Sequence, residues 1–121
     1  MSKILIVDDS PSQLFSLRKI VEQAGHETVT ADSGERALEL AADESPSVIL
    51  MDIVMPGMSG YQAKRKLGKA ESTRHIPVIF VSTKDGEADR AWGLRQGATE
   101  YVTKPVNPNI LLTAISEAMA A

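Results

Sequence analysis

Asp8, Asp9, Asp52, Ser82, Thr83 and Lys104 are the residues of this chain whose types and settings could do chemistry. Each stands at or just past the end of a short apolar run. Residues 4–7 (ILIV) precede Asp8-Asp9, residues 48–51 (VILM) precede Asp52, and residues 78–81 (VIFV) precede Ser82-Thr83. Lys104 follows residues 100–103 (EYVT) and stands directly before Pro105. Three carboxylates in one cleft repel, and each raises the others' pKa unless a cation sits among them. An all-oxygen cluster without His or Cys suits a hard cation. Mg²⁺ typically takes one or two carboxylates plus phosphoryl oxygens. Such a site does phosphoryl chemistry. Asp52 can act as nucleophile and form an aspartyl phosphate. Mg²⁺ would spread the transition-state charge, while Lys104 and Ser82 bind the equatorial oxygens. A lone Asp after a strand is usually a turn former or helix cap; the same greasy-to-polar change repeated at several run ends argues for a site. An X-Pro bond can be cis, and a cis bond after Lys104 would aim its side chain.

The elements that must position these groups are short. The runs at 4–7, 48–51 and 78–81 are continuous and β-branched, as in strands buried on both faces of a parallel sheet. Residues 27–31 and 100–103 are weaker strand candidates. Strands are expected near 3–8, 27–31, 47–52, 77–82 and 99–103. Helical segments with start signals lie between them. Ser10-Pro11-Ser12-Gln13 offers a cap, a Pro at the first helical position and a capping-box Gln. Ser59 and Gln62 repeat the box, Ser33 and Asp85 are further candidate caps, and Asn107-Pro108 repeats the cap-then-Pro pattern. Gly25 and Gly97 stand where helices should stop. Leu14, Leu17, Ile20, Val21 and Ala24 form one apolar stripe, and Ala37, Leu38 and Ala41 another. Five βα units imply an α/β fold: a single, doubly wound, five-stranded parallel sheet with helices on both faces. Ligands of such sheets bind beyond the carboxyl ends of the strands. If strands one and three are neighbours, the three aspartates converge there.

Composition narrows the rest. The chain has 121 residues, enough for one domain with a core of its own. It has no Cys, which excludes disulfides, thiolate metal sites and cysteine nucleophiles. A net charge of −3 argues against non-specific nucleic-acid binding. No segment approaches the roughly 20 apolar residues of a membrane helix, and the first apolar run is too short for a signal peptide. A cytoplasmic protein is expected.

The stretches ILIVDDS (4–10), VILMDIVMPGMSG (48–60), IPVIFVST (76–83) and GATEYVTKP (97–105) resemble CheY-like response-regulator receiver domains, and the likeness runs from end to end. It implies the flavodoxin-like strand order 2-1-3-4-5 and one receiver over residues 1–121, with no output domain. It implies that Asp52 accepts a phosphoryl group from a histidine kinase, a histidine phosphotransfer protein or a small phosphodonor. Asp8, Asp9 and Asp52 would organise Mg²⁺, with Asp9 a direct ligand, Asp8 acting through water, and the Val54 backbone carbonyl a further ligand. Ser82 would move to meet the phosphoryl group, Lys104 would pair with it, and Tyr101 would rotate inward. The chain would catalyse only its own phosphorylation and dephosphorylation. DIVMPGMSGYQAKRKL and STKDGEADRAWGLRQGATEYVTKPV resemble the small, PilH-like regulators of twitching-motility chemosensory systems. Val54 and Lys84 stand where flagellar chemotaxis regulators commonly carry polar residues, so the phosphoryl lifetime cannot be borrowed from a relative.

In receivers the face of the fourth helix, fifth strand and fifth helix carries the signal. Leu14, Phe15, Trp92, Tyr101 and Leu112 are the candidate partner-surface residues. Trp92 is expected to pack into the core beside Ala88 and Ala91 rather than stand on the surface, and His26 and His75 to be solvated. The apolar excess of the last helix suggests partner binding or weak self-association, with a monomer or weak dimer expected. The leading function is a stand-alone switch acting on a motility target. A variant is a phosphate sink that drains the kinase and needs no output partner. An aspartate-nucleophile phosphatase would carry D-x-D-x-T after the first strand, whereas Val54 stands two past Asp52. A flavin binder would need a small, hydroxyl-rich loop where Asp8-Asp9 would repel phosphate.

Overall fold

The computed structural model describes residues 2–120. Five strands, β1 (Lys3–Val7), β2 (Glu27–Ala31), β3 (Val48–Met51), β4 (Val78–Ser82) and β5 (Glu100–Thr103), alternate with five helices. These are α1 (Pro11–Gln23), α2 (Gly34–Glu44), α3 (Gly60–Lys69), α4 (Glu87–Arg95) and α5 (Pro108–Ala120). All strand pairs are parallel, in the order β2-β1-β3-β4-β5, so β1 and β3 are neighbours at the centre. Every strand falls within a residue of its expected range.

Alternation along the strands splits the core in two. Leu5, Val7, Ile49, Met51, Phe80 and Tyr101 face one way, where Ala37, Leu40, Ala63 and Leu67 of α2 and α3 cover them. Ile4, Ile6, Val48, Leu50, Ile79, Val81 and Val102 face the other way, against Leu17 and Val21 of α1 and Leu111, Ile115 and Ala118 of α5. Val7, Met51, Phe80 and Tyr101 form one row across β1, β3, β4 and β5. Asp8 and Asp52, which follow Val7 and Met51 of this row, therefore leave the sheet side by side.

Most helix starts are those expected. The Ser10, Ser33 and Ser59 hydroxyls accept from the Gln13, Arg36 and Gln62 amides, and Gln62 returns the bond to the Ser59 amide. Asn107 accepts from the Asn109 and Ile110 amides. Gly25 and Gly97 have φ of +94° and +99°, the left-handed turn in which a helix stops. α4 differs: Gly86, not Asp85, is its cap, with no side-chain bond. Its buried position is Gly93, so Ala88, Ala91 and Trp92 all lie exposed. Trp92 is 47% exposed, contrary to the expected core packing. The face of α4 is set by a residue without a side chain, which no apolar stripe can reveal. His26 also departs from expectation: it is half-buried, and its Nδ1 is enclosed without a hydrogen-bond partner. No helix among the described residues is long and apolar enough to cross a membrane.

Candidate metal and phosphoryl site

Ladder hydrogen bonds continue one step beyond the strands and hold the polar residues in place. The Asp8 amide donates to the Ala31 carbonyl at 3.1 Å, Asp52 to Val7 at 3.0 Å, and Lys104 to Ser82 at 2.8 Å. Asp8, Asp9 and Asp52 thereby each offer a carboxylate oxygen within 4.8 Å of the others. Asp8 is buried and Asp9 exposed. Lys104 crosses from β5 with its ammonium 2.7 Å from Asp8 Oδ2 and 3.8 Å from Asp52 Oδ2. Its peptide bond to Pro105 is cis. The Ser10 amide donates to Asp8 Oδ1 at 3.0 Å, and the Ile53 amide to Asp52 Oδ1 at 2.9 Å.

Three carboxylates here face one ammonium, so a negative excess remains. Burial raises the Asp52 carboxyl above the usual carboxylate range; Lys104 and the Ile53 amide oppose this, while Asp8 and Asp9 add to it. An all-oxygen donor set with uncompensated negative charge fits a hard divalent cation. Val54 is 57% exposed in the loop beyond Asp52, which puts its side chain in solvent and fits a role through its carbonyl alone.

The cleft holding these groups is about 390 Å³ and includes Gln13, Thr83 and Pro105. Ser10 and Thr83 are hydroxyl-bearing residues of its lining, whereas Ser82 turns to the opposite face of β4. Alternation explains this: Ser82 shares the face of Phe80 and Tyr101, while Thr83 follows Val81 on the other side. Ser82 is fully buried, and its Oγ accepts from the Lys84 amide at 3.2 Å. A larger cavity of about 510 Å³ lies apart from the aspartates, beside Arg65, Lys66 and Lys69.

Sequence reasoning passed over Gly60. Its amide donates to the Ile53 carbonyl at 2.8 Å, and a Cβ there would overlap the Asp52 carbonyl oxygen and stand 2.8 Å from Ile53 Cα. Gly60 lets α3 begin in contact with the backbone that carries Asp52.

The expected partner surface is only partly displayed. Phe15 and Trp92 are exposed. Leu14 and Leu112 are half-buried against the core, because each belongs to the stripe that seats its helix on the sheet. Tyr101 is 2% exposed, turned inward on the α4 face, and its hydroxyl donates to the Lys84 carbonyl at 2.6 Å. Leu94 of α4, 43% exposed, and Ile110 of α5, 59% exposed, are large apolar side chains that stand out instead.

A model of the response regulator receiver domain family matches residues 4–116. The chain belongs to that family. It is 50% identical to the protein PilH of Pseudomonas aeruginosa, and the match covers 99% of each chain. It is 39% identical over 114 residues to the response regulator PleD of Caulobacter vibrioides, spanning 94% of this receiver but 25% of that protein. The receiver domain of a Pseudomonas aeruginosa sensor histidine kinase, 25% identical, superposes with a TM-score of 0.91 over 99% of this chain and 98% of its own. That crystal structure has a magnesium ion coordinated in its active-site cleft. This receiver is thus CheY-like and closely related to PilH-type regulators, and its family works as phosphorylation switches rather than on external substrates.

Proposed function

We propose that this receiver is a phosphorylation-dependent switch in which Asp52 is the phosphoryl acceptor. The observation that carries the reading is the convergence of Asp8, Asp9, Asp52 and Lys104 in one cleft beyond the strand ends. Asp52 Oδ1 is held by the Ile53 amide, which leaves Oδ2 as the nucleophile. As the Oδ2–P bond forms, the P–N bond of a phosphohistidine, or the P–O bond of acetyl phosphate, breaks, and the imidazole or acetate leaves. Lys104 is placed to draw charge on the transferred group, and Ser82, one residue before Thr83 of the cleft wall, would move to meet it. Asp8, Asp9, Asp52 and the Val54 carbonyl would hold Mg²⁺. Bound there, Mg²⁺ supplies charge neutralisation for the phosphoryl oxygens.

The donor is a histidine kinase or histidine phosphotransfer protein. The output is a chemosensory, twitching-motility one, which the likeness to PilH across both lengths supports. On this reading residues 1–121 form a single receiver. The test is intact mass after incubation with acetyl phosphate and Mg²⁺. Wild type gains one phosphoryl group and Asp52→Asn gains none; modification of Asp52→Asn to the same extent would move the acceptor elsewhere. Competition for the kinase with a second regulator distinguishes output from drainage: an unchanged level of the second phosphoregulator argues against a sink.

A further inference from the structure

Residues 64–74 carry Lys64, Arg65, Lys66, Lys69 and Arg74 against one acid, Glu71. That is a local net of +4 in a chain whose net is −3, which leaves −7 on the remainder. Lys3, Arg18, Arg36 and Lys104 each sit 2.7–3.4 Å from a carboxylate oxygen. Among the described residues, none of the five cations of residues 64–74 is in an ion pair. Lys66 and Lys69, in the last turn, suit the carbonyl end of α3. Arg65 lies a turn earlier, four residues before Lys69, a like-charge spacing that lowers helix stability. Gln62, Arg65, Lys66 and Lys69 recur at steps of three and four on one face, and they wall the cavity of about 510 Å³ that Gly57 and Met58 of the β3–α3 loop complete. Gln62 Oε1 accepts from the Ser59 amide in the capping box, which leaves Nε2 to donate. The polar side chains of this wall are thus all donors. Glu35 marks the opposite end, its Oε2 3.7 Å from where a Cβ of Gly57 would stand.

We propose that this groove docks an acidic, extended segment of a partner protein, with two or three carboxylates along Arg65, Lys66 and Lys69 and an apolar side chain against Met58. Such docking goes beyond the receiver switch and needs no phosphoryl group at Asp52. Gln62 to Lys69 spans about 10 Å at the helical rise, the length of about three residues of extended chain. Arg65 offers the planar fork that grips a carboxylate with two hydrogen bonds. Met58 is half-buried at the end marked by Glu35, where a further carboxylate would be repelled and a polarizable, adaptable side chain favours an apolar contact. A nucleic acid carries charge along its whole length and would be driven across the acidic remainder of the surface. A flat anionic membrane would bridge the mouth of the cavity and leave Met58 uncovered. A short acidic segment satisfies the cations without meeting that remainder.

The test is fluorescence anisotropy of a labelled, amidated peptide of one leucine followed by alternating aspartate and glutamate, at low salt in EDTA. Wild type should bind it, and should not bind the same peptide with asparagine and glutamine in place of the acids. Arg65→Gln/Lys69→Gln should weaken binding by about tenfold or more. Lys19→Gln/Arg95→Gln removes the same charge from exposed positions outside the groove and should leave affinity within about twofold. Equal losses in the two double variants would reduce the effect to overall charge and overturn the proposal, as would no binding by wild type. Thermal midpoints check folding: relief of the Arg65–Lys69 repulsion should leave the first variant at least as stable as wild type. The contact itself is read from the methyl signals of ¹³C-labelled methionine, with Met58 assigned through Met58→Leu. Peptide should shift the Met58 methyl, and an unmoved Met58 would place the peptide elsewhere. A single-stranded oligonucleotide or phosphatidylserine vesicles that displace the peptide and shift Met58 more strongly would assign the groove to those anions instead. A Met58 shift that grows with protein concentration alone would assign it to a second copy of the chain. Asp52→Asn should bind as wild type does, so failure of the phosphoryl chemistry, read by mass, stays separate from failure of the docking.

Discussion

Asp52 is held between one favourable and two unfavourable charges while partly removed from water, and its raised pKa has a sign that stability measurements can read. The unfolded chain gives up this proton at lower pH than the folded one. Between the ordinary carboxylate range and the raised folded value, the folded state binds more protons and stability falls as pH rises. Above that window the full cost is present. With EDTA at neutral pH, Asp52→Asn is expected to unfold at higher urea concentration than wild type, and the gap should close as the pH falls below the ordinary carboxylate range. An equal or lower midpoint at neutral pH would contradict the charge balance drawn here. Lys104 has the opposite role. It is the one ammonium against Asp8, whose side chain is 2% exposed, so Lys104→Met leaves a buried carboxylate unpaired. Breaking a buried pair on one side costs about 3 kcal/mol or more. Urea unfolding in EDTA should show that loss, with Mg²⁺ recovering part of it; a loss within a few tenths would mean that water already compensates Asp8.

The strands were legible because two-sided burial leaves unbroken apolar runs, and the caps at Ser10, Ser33, Ser59 and Asn107 because they are side-chain chemistry. The polar ends of β1, β3 and β5 pointed to Asp8, Asp9, Asp52 and Lys104 for the same reason. What stayed hidden depends on missing atoms or on facing. Gly93 orients α4 without a side chain to mark it, so Trp92 stands exposed where the apolar pattern predicts packing. Ser82 and Thr83 are adjacent hydroxyls on opposite faces, and only strand alternation tells them apart. Gly60 is the clearest element-level case, because close approach of α3 to the β3 end carries no sequence pattern beyond a glycine after a cap. Gly60→Ala must displace the loop after Asp52, with an overpacking cost of about 1–3 kcal/mol. Mg²⁺ affinity should fall as well, since the Val54 carbonyl lies in that loop; stability loss with unchanged affinity would detach the loop from the proposed ligand set.

At the scale of the whole molecule, the parallel order β2-β1-β3-β4-β5 does two things at once. It sets β1 beside β3 so that acids from separate parts of the chain share one cleft, and it places Tyr101 in the same row as the residues preceding Asp8 and Asp52. A cation that binds only the folded cleft must stabilise the whole fold by mass action. Mg²⁺ should therefore raise the thermal midpoint in a saturable way, and Asp9→Ala should weaken the response; an identical titration would remove Asp9 from the site. The net charge of −3 concealed this concentration of three of the sixteen acids at one end of the sheet. The most direct test of the central claim is the intact mass of the protein after acetyl phosphate and Mg²⁺ at saturating donor. One added phosphoryl group, located by peptide mapping at Asp52 and absent in Asp52→Asn, is the predicted result, and a wild-type protein that stays unmodified would contradict it.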